Sequence, residues 1–108
     1  MSRSPSTVAV IMAKGCLDSV EARPLRATLH DHLSQGTSRI IVDLSAVTFM
    51  DSAGLASLVI GMERARLDGG DVRLVSPTHP VVRSVLDRTR FDEVFSIADD
   101  LDRAHLGW

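Results

Sequence analysis

Ile40-Ile41-Val42-Asp43-Leu44-Ser45-Ala46-Val47-Thr48-Phe49-Met50-Asp51-Ser52-Ala53-Gly54-Leu55 carries the chain out of a strand and into a helix. From Ile40 to Leu44 aliphatic residues follow one another without regular alternation, the pattern of a central strand covered on both faces. Ser45 to Met50 reads as a link. From Leu55 to Leu67 the residues Leu55, Leu58, Val59, Met62 and Ala65 recur at helical spacing. Ser52 is thereby expected at a helix N-terminus, where unpaired backbone N–H groups and the positive end of the dipole favour an anion. A hydroxyl at that position suits a reversible phosphate.

The flanking segments repeat the alternation. Thr7 to Ala13 predicts a first strand, Gly15 to Ser19 a turn in which Asp18 or Ser19 caps the next helix, and Ala22, Leu25, Leu29 and Leu33 a helical stripe ended by Gly36. Gly69-Gly70 stops the helix after Ser52, and Asp71 to Val75 gives another strand. Pro80 opens a helix carrying Val81, Val82, Val85 and Leu86. Phe91 to Ile97 predicts a last short strand, with Asp99 capping a terminal helix that contains Leu101 and Ala104. Strands alternating with helices predict an α/β fold, a four- to five-stranded mostly parallel or mixed sheet covered by about four helices.

The 108 residues suffice for one core and one domain. Residues 1–6 read as a flexible head and 7–108 as the domain. A formal net charge of −2 and scattered basic residues provide no nucleic-acid footprint. The apolar run Val8 to Ala13 is too short to span a membrane. Cys16 is the single cysteine, so an internal disulfide is impossible and an intracellular, cytoplasmic setting is the simplest expectation. His30 and His32 point to different sides of a helix, and His79 and His105 lack neighbours at ligand spacing, so neither a metal nor another cofactor is expected.

Three stretches together resemble the STAS domain family, and within it the small stand-alone anti-sigma-factor antagonists. They are Gly15-Cys16-Leu17-Asp18, the run from Ile41 to Leu55 with its D-S-x-G-L order, and Leu74-Val75-Ser76-Pro77 followed by Phe91-Asp92-Glu93-Val94-Phe95. Cys16 departs from the family, which often has an acidic residue there. The resemblance implies a partner switch. The unphosphorylated protein binds an anti-sigma factor that is also a serine kinase and so frees a sigma factor. The kinase phosphorylates the serine matching Ser52, and a metal-dependent serine phosphatase reverses the step. Asp18, Asp51, Ala53, Gly54 and Ser57 are the expected partner-binding residues, and no catalytic role is implied for this chain. A STAS scaffold or a subunit of a stress-signalling or phospholipid-transport complex is the alternative.

Taken alone, each of these residues has a plainer reading. Ser52 is an ordinary helix cap, Asp18 a turn residue, and Gly54 a relief for a crowded helix–sheet contact. In the switch reading, Gly54 instead admits a close partner, and Ser57 lies on a face open to one. An enzyme with Ser52 as nucleophile is disfavoured, because a hydrolase elbow requires glycine two residues before the serine and Met50 stands there. His79 and Asp43 offer a base and an acid, but the sequence does not bring them to the hydroxyl.

Overall fold

In the computed structural model, which describes residues 7–108, the elements follow in the order β1 (Val8–Leu17), α1 (Arg23–Ser34), β2 (Arg39–Met50), α2 (Ser52–Leu67), β3 (Asp71–Val75), α3 (Pro80–Thr89), β4 (Ser96–Ala98) and α4 (Leu101–Ala104). The sheet has four strands in the order β1-β2-β3-β4. Among the described residues all three pairings are parallel, within the mostly parallel or mixed sheet expected. The reason lies in the connections: every strand is joined to the next through a helix, and none through a hairpin. The six-residue head lies outside the described residues.

Sequential strand order with crossovers of one hand puts successive helices on one face of the sheet. That face holds the main core, in which Leu25, Leu29 and Leu33 of α1 and Leu55, Leu58 and Met62 of α2 meet Ile40, Val42 and Leu44 of β2. The opposite face is covered by a smaller cluster of Ile41, Val75 and Ala104, with Leu101 and Trp108 packed against it. Arg73 ties that cover down. Its guanidinium donates to the carbonyls of Ala104 and Leu106, at 2.9 and 2.6 Å, and lies 3.8 Å from the centre of the Trp108 ring. Ile41 and Ile40 are both fully buried, as the unbroken apolar run required.

Several boundaries differ from the sequence reading. Ser45 to Met50 is strand: β2 pairs with β3 only as far as Asp43, then continues alongside β1 to the pair Leu17 and Met50. Two register shifts, between Met12 and Lys14 and between Gly15 and Cys16, each give β2 one extra residue and disturb the alternation that would have marked the segment as strand. β1 likewise runs on to Leu17, with Gly15 at φ +71°. Phe91 to Phe95 forms a turn and not a strand. The Phe95 N–H reaches the Phe91 carbonyl at 2.9 Å, and the two rings lie 6.4 Å apart. Asp100, not Asp99, caps α4, accepting from the Arg103 N–H at 2.8 Å. Asp99 instead pairs with the Arg103 side chain at 3.4 Å.

Candidate functional site

Two parallel strands end together at this site. The last β1–β2 pair is Leu17 with Met50, so Asp18 and Asp51 leave the sheet side by side. The Asp51 N–H donates to the Leu17 carbonyl at 3.3 Å, tying the start of α2 to the end of β1. Asp51 is the N-cap of α2, with extended backbone at φ −114° and ψ −174°. Its Oδ1 accepts from the N–H groups of Ala53 and Gly54, both at 3.0 Å, and its carbonyl accepts from Leu55 N–H at 3.0 Å.

This geometry revises the reading of Ser52. The serine is not the cap: it is the first residue inside the helix, exposed, and its hydroxyl makes no hydrogen bond among the described residues. Nor is the helix end a vacant anion cradle, since Asp51 already occupies two of the orphan N–H groups and places a negative charge on the positive end of the dipole. No hydrogen bond joins Ser52 to a base. His79 accepts from the Val81 N–H at 3.2 Å as the cap of α3, and Asp43 accepts from the Ser45 N–H at 2.8 Å. The plainest roles for those two groups are therefore local and structural.

Asp18 closes the neighbouring loop. Its Oδ1 accepts from Val20 N–H at 3.0 Å and Glu21 N–H at 2.8 Å, and its Oδ2 lies 3.4 Å from the Cys16 sulfur. The expectation that Asp18 or Ser19 caps α1 is corrected: Ala22 occupies the N-cap with no side-chain bond, and Asp18 serves the preceding turn. Hydrogen bonds from Glu21 N–H first, then from Val20 N–H, outweigh desolvation and hold the Asp18 carboxyl below the usual carboxylate value. The Cys16 thiol moves the other way, pushed up first by desolvation and then by its hydrogen bond to Asp18 and the nearby charges of Asp18, Glu21 and Asp51.

Gly54 and Ser57 do not offer surface. A Cβ on residue 54 would overlap the Leu17 carbonyl, so the close approach that Gly54 permits is made by this chain's own β1. Ser57 is 3 % exposed beneath α1. Its hydroxyl donates to the Ala53 carbonyl at 3.1 Å and accepts from Arg26 Nη1 at 3.4 Å. Both positions are buried for one reason: α2 is covered by the sheet on one side and by α1 on another, so more of its circumference is buried than a single apolar stripe suggests. Ala53 stays half-buried in the first turn.

The structure adds neighbours that the motif did not announce. Beyond Ser52 along α2 runs a shallow, almost wholly apolar groove of about 300 Å³, formed by Leu55, Ala56, Val59 and Ile60 with Thr89 and Phe91. Ile60 is 65 % exposed. Phe49, opposite Cys16 on β2, is also exposed. The sequence signal for Phe49 and Ile60 was an apolar residue out of phase with its element's buried face, which is ambiguous without the register.

Among the described residues no helix is long and apolar enough to cross a membrane. The STAS domain family model matches residues 1–104. A protein of Bordetella bronchiseptica named "Putative anti-sigma factor antagonist BtrV" is 28 % identical over 91 residues, covering 84 % of this chain and 78 % of its own. A crystal structure of a protein from Thermotoga maritima, described as a "putative anti-sigma factor antagonist", is 30 % identical with a TM-score of 0.79, covering 88 % of this chain and 81 % of its own. An anti-sigma factor antagonist from Mycobacterium paratuberculosis is 25 % identical with a TM-score of 0.77, covering 96 % and 95 % of the two chains. The match along nearly the whole sequence, and the parallel four-stranded fold it accompanies, make this chain a member of the STAS domain family whose relatives are anti-sigma factor antagonists.

Proposed function

We propose that this chain binds an anti-sigma factor that is also an ATP-dependent serine kinase, releasing a sigma factor, and that phosphorylation of Ser52 dissolves the complex. The supporting observation is the exposed, unbonded Ser52 hydroxyl at the first position of α2, held in place by the Asp51 cap beside an apolar groove. The γ-phosphoryl group of ATP passes to Ser52 Oγ, ADP leaves, and the hydroxyl proton goes to solvent or to a kinase base. A metal-dependent serine phosphatase hydrolyses the phosphoserine with water, releasing inorganic phosphate and restoring the Ser52 hydroxyl. Such a cycle belongs in the cytoplasm, and this chain is its substrate and not its catalyst.

A phosphate brings about −1.5 to −2 charges at neutral pH. Here it arrives next to the Asp51 carboxylate, which already holds the helix end, so the dipole gives the newcomer little additional welcome. The fold is nevertheless kept, because the Asp51 hydrogen bonds and the α2 core do not involve the hydroxyl. What changes is the surface: a small neutral group becomes a bulky anion beside the groove, and a partner fitted to the former is repelled.

Incubation with the cognate kinase and ATP, followed by mapping of the phosphate, tests the reading. Modification at Ser52 and loss of the complex are expected. Modification elsewhere, or a complex that survives the phosphate, rejects it.

A further inference from the structure

Next to the Ser52 groove, and sharing Ile60 with it, α1 and α2 border a second, smaller cleft of about 160 Å³. Its floor is Leu29, Leu33 and Gly61, and Ile60 forms one wall. Gly61 shapes the floor, since a Cβ there would stand 3.0 Å from Leu29 Cδ1 and project into the space between the helices. The rim has one sign of charge: Arg26 and Arg64 stand on it with His30, and no carboxylate lines it.

The two arginines differ in how far they are neutralised. Arg64 is held by Asp68 at 3.5 Å, whereas Arg26 has no carboxylate partner among the described residues and rests only on the buried Ser57 hydroxyl at 3.4 Å. A guanidinium that ends on a neutral hydroxyl keeps its fork of donors available to a planar anion. The volume is enough for one benzene-sized body, close to the roughly 150 Å³ of an enclosed apolar cavity that binds benzene in another protein, although this cleft is open to solvent on one side.

We propose that this cleft is a binding site for a small aromatic or short-chain monocarboxylate, its apolar body between Leu29 and Ile60 and its carboxylate on Arg26. The site is independent of the Ser52 reading. It does touch the same helix, because Ser57 bridges Arg26 to the Ala53 carbonyl in the first turn of α2.

The test is a titration of the full chain, labelled with nitrogen-15, with sodium benzoate and in parallel with benzyl alcohol at constant ionic strength. Expected are saturable amide shifts confined to α1 and α2 around Arg26, Leu29, Ser57 and Gly61, with half-saturation at or below about 1 mM. Benzyl alcohol should bind at least about tenfold more weakly, and Arg26→Gln should weaken benzoate by a similar factor with an unchanged melting temperature. Arg64→Glu, a change on an exposed side chain, serves as the second variant and should abolish saturation by placing a carboxylate on the rim. Absence of saturable shifts, equal binding of the neutral analogue, or shifts centred on the Ser52 groove would each overturn the proposal.

Discussion

The Leu17 carbonyl occupies the space that a Cβ on Gly54 would need, so the end of β1 and the first turn of α2 are in backbone-to-backbone contact. Gly54→Ala is therefore a severe change despite its size. Alanine favours a helix interior by up to about 1 kcal/mol over glycine, but the overlap is with backbone that Asp51 N–H also holds, and backbone cannot rotate away. A net destabilisation of about 2 kcal/mol or more is expected. Urea unfolding checks it, and a variant as stable as the parent would show that the two elements separate easily.

Asp51 and Ser52 are adjacent but should behave as opposites in stability. Asp51→Ala removes an acceptor shared by two N–H groups and should cost about 1 kcal/mol. Ser52→Ala removes a hydroxyl with no bond and should leave the midpoint within about 0.5 kcal/mol of the parent. Equal losses in the two variants would return the cap to Ser52.

Partner binding should show the reverse order of sensitivity. Ser52→Ala is expected to capture the kinase and stay bound in the presence of ATP. Ser52→Asp should bind at least about tenfold more weakly, a loss of about 1.4 kcal/mol, with an unchanged helical circular-dichroism signal. Isothermal titration measures both, and tight binding by Ser52→Asp would exclude charge repulsion as the cause of release.

The acidic loop gives a pH signature without involving the partner. Because the Asp18 carboxyl is held below its usual value of 3.8, its contribution to stability is complete above that value and disappears as the pH falls through the lower folded value. Because the Cys16 thiol is raised above 9.0, the folded protein keeps that proton longer than the unfolded chain, and stability falls as the pH rises past 9.0. Alkylation of Cys16 by iodoacetamide should reach half its maximal rate above pH 9.0 in the parent and at lower pH in Asp18→Asn. Identical profiles would show that the carboxylate does not act on the thiol.

The α/β alternation and the position of α2 were legible in the chain because Ile40 to Leu44 is a short, mainly aliphatic run and Leu55, Leu58, Val59, Met62 and Ala65 recur at helical spacing. Three things were not. The extension of β2 was obscured by two register shifts, which place Thr48 and Phe49 outward in succession where a regular strand would bury one of them. The depth of Ser57 and Gly61 depended on α1 crossing α2, a tertiary contact with no local signature. The identity of the cap depended on a choice between neighbours: Asp51 and Ser52 are both good caps, and the backbone at Asp51 decides it.

Among the described residues β2 beyond Asp43 pairs with β1 alone, so residues 45–50 and 14–17 form a two-stranded extension of the sheet that ends at Asp18 and Asp51, with Val47 and Met50 buried in the core and the Ser45 carbonyl accepting from the Thr78 hydroxyl at 2.9 Å. The serine and the two nearby acids sit on one backbone unit, because the Asp51 N–H bonds the Leu17 carbonyl, and the bulges set its direction relative to the rest of the sheet. A single insertion or deletion at either bulge would re-aim the whole tip with its chemistry intact. A chain with this core but other bulges would hold the residue at position 52 at a different angle to the sheet.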